Sequence, residues 1–344
     1  MSVALRTPLC GELGIEYPIF SVGFGVSAGP ELVAAVSNAG GCGVLGGSGV
    51  PIEQLQRRIA RVREVSDRPF GVNVIIADIE DPKAPDEDKA GVREQIAAAV
   101  EARVPLLVLF WGPPAEFVEG AHRNGVKVFI QVGSLAEAEA AAAAGVDAVI
   151  VQGIEAGGHV RGTTSIWALL PAAVEAVGPV PVLASGGIGD GAGIARALRL
   201  GAQGVSLGTR FVASDEAWVD PRYKQRIVDS GAEDAVYSEL FDAWWPDAPH
   251  RVLRNRTIDE WVAAGRPPSG SRPGEGTTIG GRRLSNGEVQ PWPRYATGML
   301  TPNFEGEFDY AAMLAGESCG VVRDIKPAGV IVRDLARDTA AALA

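Results

Sequence analysis

The residues best suited to chemistry lie in the segment Val149-Ile-Val-Gln152-Gly-Ile-Glu155-Ala-Gly157-Gly-His159-Val-Arg-Gly162. An apolar run that breaks into a glycine-rich loop reads as a strand ending in a ligand-accessible turn, and this turn carries a histidine. Free imidazole titrates near neutrality, so His159 can take or give a proton at a substrate carbon or oxygen. Glu155, four residues earlier, either orients the ring or stays solvated. No second histidine or carboxylate stands at ligand spacing from His159, so no metal site is expected. His122 and His250 read as ordinary residues, one on a helix exterior and one beyond the repeating part of the chain.

A second constellation is Leu183-Ala-Ser-Gly186-Gly187-Ile-Gly-Asp190, followed by Ser206-Leu207-Gly208-Thr209-Arg210. Paired glycines let the backbone approach a ligand that side chains would exclude. In parallel barrels a phosphate commonly lies between the loops after strands seven and eight, held by amides at the start of a short helix. Taken singly, either turn is explained by strand-to-helix geometry; taken together they favour a phosphate cradle. Asn73, Gln131 and Gln152 are amides inside otherwise apolar strands, and buried amides need partners. Three of them on neighbouring strands would suit the polar edge of a heterocycle such as an isoalloxazine, although each would equally serve to tie down its own loop.

These positions require a scaffold that brings many strand ends to one face. From Pro18 to Leu207 short apolar runs alternate with longer alanine-rich amphipathic stretches, the pattern of strands and helices around a parallel sheet. The strands expected are 18–22, 43–45, 70–75, 106–110, 126–132, 148–152, 180–184 and 204–207. The helices expected between them are 31–38, 52–65, 92–101, 115–124, 136–144, 165–177 and 192–200. Glycines at 40, 125, 145 and 201 stand where left-handed helix stops are needed. An open doubly wound sheet also alternates strand and helix, but eight successive units without an antiparallel edge favour a (β/α)8 TIM barrel over residues 1–211.

Beyond Phe211 the texture changes. Trp218, Trp244, Trp245, Trp261 and Trp292 accumulate, and Arg266 to Asn286 is rich in Gly, Pro, Ser and Arg without periodicity. Residues 212–297 therefore read as an inserted, lid-like elaboration with a flexible loop from Arg266 to Asn286. Residues 298–344 read as a C-terminal segment, helical from Asp309 to Leu343, that closes the outside of the barrel.

Bulk properties exclude several classes. The 344 residues are 47% hydrophobic and 21% charged, which is ordinary for a globular protein and leaves no case for disorder. A net charge of -11 without single-sign blocks offers no footprint for nucleic acid or an anionic membrane. Cys10, Cys42 and Cys319 are far apart, so neither a disulfide framework nor a thiolate metal site is indicated. Residues 1–14 lack an apolar signal core, and no apolar run approaches the length of a membrane span; a cytoplasmic location is expected.

The combination of Gly-Val-Asn73, Gln152-Gly-x-Glu-Ala-Gly157-Gly-His159, Ser-Gly-Gly187-Ile and Ser206-Leu-Gly-Thr209 resembles the nitronate monooxygenase family of FMN-dependent barrels. The resemblance covers about residues 5–213, with a weaker match at Ala315-Gly-Glu-Ser-Cys-Gly320. It implies FMN contacts at Asn73, Gln152, Gly157, Gly187 and Ser206 to Thr209, and an active-site role for His159. It also implies oxidation of alkyl nitronates by dioxygen to a carbonyl compound and nitrite, with small molecules as the only partners and a homodimer as the assembly to test. The same histidine motif recurs in a flavin enoyl reductase and in NADH:quinone reductases, so NAD(P)H-dependent reduction of an enoyl thioester or quinone is the alternative. A flavin-binding module without catalysis is a third reading, which the intact His159 loop opposes. Leu314 departs from the aromatic residue usual in that tail.

Overall fold

The computed structural model describes residues 5–284 and 287–344. Its centre is a parallel sheet of eight strands: β1 (Ile19–Ser21), β2 (Gly43–Gly46), β3 (Phe70–Ile75), β4 (Leu106–Phe110), β5 (Lys127–Val132), β6 (Ala148–Gln152), β8 (Val182–Ser185) and β9 (Gly204–Leu207); a two-residue β7 (Gly158–His159) follows β6 in the chain and lies outside this sheet. The spatial order is β1-β9-β8-β6-β5-β4-β3-β2. The ring closes between β1 and the start of β2, where Ser21 N–H donates to Cys42 O at 3.0 Å and Cys42 N–H donates to Ile19 O at 2.9 Å. The molecule is thus the expected TIM barrel, with strand ends within about two residues of those read from sequence.

Helices α2 (Pro30–Asn38), α3 (Ile52–Val65), α4 (Asp86–Glu101), α5 (Ala115–Arg123), α6 (Leu135–Ala143), α7 (Ile166–Ala176) and α8 (Gly191–Arg199) alternate with the strands, and α1 (Pro8–Leu13) precedes them. Gly40, Gly125, Gly145 and Gly201 all take left-handed φ at the helix stops. Asp190 caps α8, its Oδ1 accepting from Gly193 N–H at 2.8 Å, which fixes the exit of the glycine turn after β8.

Side chains alternate across each strand, and that alternation builds two cores. Phe20, Val44, Leu106, Val108, Phe129, Ile150 and Leu183 fill the barrel interior and meet Leu9, Cys10 and Leu13 of α1, which plugs the floor. Val72, Leu107, Ile130, Val149 and Val205 face outward under the helices. Toward the open end the inward positions include the polar Asn73, Gln131, Gln152, Ser185 and Ser206 beside the apolar Ile75 and Phe110. The filled floor confines ligands to the C-terminal face.

The remaining chain forms α9 (Thr209–Val212), α10 (Pro221–Asp229), β10 (Ala235–Ser238), β11 (His250–Leu253), α11 (Arg256–Ala263), β12 (Thr278–Arg283), β13 (Val289–Pro293), β14 (Phe304–Gly306) and α12 (Ala328–Leu343). β11 joins β10 and β7 in one antiparallel sheet, so this region grips the His159 loop directly. β12 pairs with both β13 and β14, and the small sheet spans the expected division at 297/298.

Two expectations are corrected. The run from Arg266 to Asn286 is not a loop throughout, because Thr278–Arg283 is a strand paired on both sides; Gly280 and Gly281 erase its alternation, and a Cβ on Gly280 would lie 2.3 Å from Glu305 O. Asn286, the end of that run, and Ser285 lie outside the described residues. Helix in the tail begins at Ala328 rather than Asp309; residues 309–327 form short 3-10 turns and extended chain, and α12 packs on α8 and α2.

Candidate active site

A cavity of about 420 Å3 opens at the C-terminal ends of the strands, within the roughly 300–1,000 Å3 usual for small-molecule sites. It is lined by Asn73, Gln131, Gln152, Gly157, His159, Gly186, Gly187, Ser206, Gly208 and Thr209, so ten of the residues singled out in the sequence converge. Leu207 does not: its side chain belongs to the core under the helices, and its carbonyl accepts from Val22 N–H at 3.1 Å. Strand alternation turns it away from the cavity.

The three amides differ in what they hold. Asn73 Nδ2 donates to Val108 O at 3.0 Å on the neighbouring strand. Gln152 is committed to the His159 loop, with Nε2 donating to His159 O at 3.0 Å and Oε1 accepting from Arg161 N–H at 2.9 Å. Its carboxamide therefore braces the loop while also lining the cavity. Gln131 lies on the cavity wall.

The two glycine turns meet opposite requirements. Gly187 has φ +70 and its Cβ would lie 2.9 Å from Glu155 Cβ, so the protein itself demands glycine there. Gly208 has ordinary φ, and its Cβ would meet only Val22 at 3.8 Å, which leaves the cavity side open. Ser206 and Thr209 stand beside it. The nearby Arg210 is consumed by Asp324 at 3.0 Å, so a phosphate here would be met by backbone amides and hydroxyls. A glycine cradle at one end and an apolar interior fit a phosphorylated flavin.

His159 sits on β7 directly opposite His250 of β11. Val160 N–H donates to Pro249 O at 2.8 Å, and the buried Arg251 donates to Ile154 O at 2.8 Å and Ala235 O at 2.7 Å, so the loop is held from both sides. The imidazole centroid lies 4.2 Å from that of Trp245 and 6.0 Å from that of His250, the latter edge-on at 84°. Trp111 stands edge-on at 6.3 Å. The ring as a whole is half-buried, but its Nδ1 is fully buried and has no partner. Burial, and secondarily the neighbouring His250, push its pKa down to about 4, against a smaller opposing effect of the Ala248 carbonyl. The near-neutral titration expected from sequence is thus corrected: the ring is neutral at pH 7.

His250 is a satisfied core residue of the elaboration, though it stands directly opposite His159. It is fully buried, with Nδ1 3.1 Å from Ala248 O and Nε2 accepting from Phe241 N–H at 3.2 Å, an assignment that fixes the proton on Nδ1. His122 is exposed on α5 beside Asp147 at 2.8 Å. Glu155 takes neither expected role; it accepts from Ser165 Oγ at 2.5 Å and Ile166 N–H at 3.0 Å, capping α7.

The tail knits these turns together. Gly316 N–H donates to Thr209 Oγ1 at 3.0 Å and Glu317 N–H to Glu155 O at 3.0 Å. A Cβ on Gly157 would lie 2.2 Å from Gly316 N, so the glycine before the His159 turn admits a second backbone. Sequence reading placed Trp245 only within the lid-like elaboration, and it missed Trp111 beside His159 and the Thr297-Gly298-Met299 wall. The Trp244-Trp245 pair was the available signal for the first; nothing local marked the others. Among the described residues no cluster of metal-ligating side chains and no helix long and apolar enough to cross a membrane is present.

The family model described as nitronate monooxygenase matches residues 6–338. The chain is 37% identical over 264 residues to a (3aS,4S,5R,7aS)-5-hydroxy-7a-methyl-1-oxo-octahydro-1H-indene-4-carboxyl-CoA dehydrogenase of Mycobacterium tuberculosis, covering 76% of this chain and 70% of that one. It is 34% identical to a probable nitronate monooxygenase of Staphylococcus saprophyticus, over 74% of this chain and 80% of the relative. The solved structure of FabK from Thermotoga maritima superposes with a TM-score of 0.75 at 31% identity, covering 97% and 96% of the two chains. With the barrel, the strand-end cradle and the histidine turn in place, this chain belongs to the nitronate monooxygenase family and is a flavin-dependent oxidoreductase.

Proposed function

We propose that the protein oxidises alkyl nitronates and their parent nitroalkanes, using FMN and dioxygen, to a carbonyl compound and nitrite. The observation that carries this reading is the place of His159 on the wall of the cavity beside the glycine turns, with its imidazole kept neutral by burial. A neutral imidazole is ready to accept the proton of an acidic carbon, and nitroalkanes are among the most acidic simple carbon acids. Once protonated it would also offset the negative charge of the nitronate oxygens. Ser206, Gly208 and Thr209, with Gly186 and Gly187, would hold the FMN phosphate, and Asn73 and Gln131, which line the same cavity, would meet the ring system. FMN would supply the redox chemistry by accepting the substrate's electrons. Gln152 and β11 hold the loop so that His159 keeps its position, and Trp245 would shield one face of the ring.

The second reading is NAD(P)H-dependent reduction of an enoyl thioester or quinone, with His159 as proton donor. It is favoured by the relative that acts as a carboxyl-CoA dehydrogenase. Anaerobic mixing separates the two. Bleaching of the bound flavin by a nitronate, and not by NADH or NADPH, supports the first; the reverse pattern overturns it in favour of the second. Yellow protein that releases FMN on denaturation is expected in either case.

A further inference from the structure

Trp245 comes from the strap 242–246, outside the barrel, yet its indole covers the imidazole of His159 at 4.2 Å. The strap is rooted at both ends. Asp242 pairs with the buried Arg272 at 2.9 Å, and Ala243 N–H donates to Tyr295 O at 3.0 Å. Trp244 packs edge-on against the fully buried Trp292 at 4.7 Å. Just beyond, Asp247 takes a left-handed φ of 57, and Ala248 O lies 3.1 Å from His250 Nδ1. On its outer side Trp245 meets Trp111 at 5.1 Å, and Trp111 is itself held in a left-handed conformation (φ 64) with the Arg161 guanidinium 5.0 Å over its ring. A strained residue held by its surroundings points to a function for its position. The two indoles therefore form a fixed roof rather than a free side chain.

We infer that Trp245 is the specificity-determining residue of this site, setting the bulk a substrate may carry at the carbon presented to His159; the inference rests on the proposed acid/base role of His159. A flat or short substrate fits below the indole. Branches or rings at the reacting carbon meet an anchored wall, and a steric limit of this kind changes relative rates by roughly 10- to 200-fold per methylene.

The test uses the flavin-loaded wild type, Trp245→Ala and Trp245→Phe. Flavin reduction is measured anaerobically with ethyl nitronate and with cyclohexyl nitronate, and the binding of acetate and of cyclohexanecarboxylate is titrated by flavin absorbance. In Trp245→Ala the cyclohexyl-to-ethyl ratio of kcat/KM should rise by about tenfold or more, with Trp245→Phe intermediate, and the ratio of the carboxylate affinities should move the same way. Unchanged ratios in both variants, with FMN content and circular dichroism at wild-type values, overturn the inference. Wild-type protein that reacts with neither nitronate overturns the nitronate reading instead, and the carboxylate ratio then decides the role of Trp245. An Ala variant that loses FMN leaves the decision to Trp245→Phe.

Discussion

Gln152 clasps the loop of His159 from the strand below it, bonding the carbonyl of His159 at 3.0 Å and the amide of Arg161 at 2.9 Å, so that the residue between them, Val160, is fixed by two hydrogen bonds from one side chain. Replacement by Met removes both and leaves two loop groups without partners. Each lost bond costs roughly 1 kcal/mol, and more if its partner stays dry. Gln152→Met should therefore lower stability in urea unfolding by about 2–4 kcal/mol, with FMN retained if the proposed glycine cradle holds most of it. Substrate reduction of the flavin should slow with it. Stability equal to wild type would show that water replaces Gln152 without cost.

Removal of the imidazole tests chemistry against packing. His159→Ala should keep the fold and the flavin, because the cradle lies on β8 and β9. Flavin reduction should slow by a factor of about 100 to 10,000, the range for a positioned acid/base group. A nitroalkane should suffer more than its pre-ionised nitronate, since only the former must lose a proton. Equal losses would assign His159 to charge stabilisation, and no loss to packing.

The depressed pKa of His159 predicts a pH dependence of stability. Folded, the ring binds a proton only below about 4; unfolded, it does so near the ordinary value of about 6.5. Between these values the unfolded chain holds more protons, so stability rises with pH across the window, is complete above it, and is lost as pH falls toward 4. His250, also lowered by burial, adds in the same direction. Denaturant midpoints measured from pH 4 to 7 should rise more steeply for wild type than for His159→Phe; parallel curves would refute the shift. The rate of flavin reduction should likewise show no limb from free His159 between about pH 5.5 and 8.

The two cradle glycines are not equivalent probes. Gly187→Val should destabilise the fold through its left-handed backbone and the approach to Glu155, and would lose flavin for either reason. Gly208→Val has ordinary φ and open space, so the folded barrel should persist while FMN affinity drops at least about tenfold as the branched side chain fills the cradle. Equilibrium dialysis of FMN and circular dichroism of the same sample decide it: unchanged affinity would place the phosphate elsewhere.

The barrel was legible in the chain because strand alternation and helix periodicity are local properties, enforced by the need to bury one face of each element. The same locality exposed the His159 turn, the glycine turns and the polar rim residues, since each interrupts an apolar run where a strand ends. It could not show that Gln152 braces the His159 loop, because the partner of an amide is fixed by distance in space. Nor could it assign Glu155 to the cap of α7, or turn Leu207 away from the cavity its neighbours line. The tertiary structure alone decided that β11 pairs with β7, which sets His250 behind His159 and carries the strap of Trp245 over it. That pairing joins segments far apart in sequence, and it is the burial it creates, invisible in residue type or spacing, that takes an imidazole of ordinary basicity and holds it neutral.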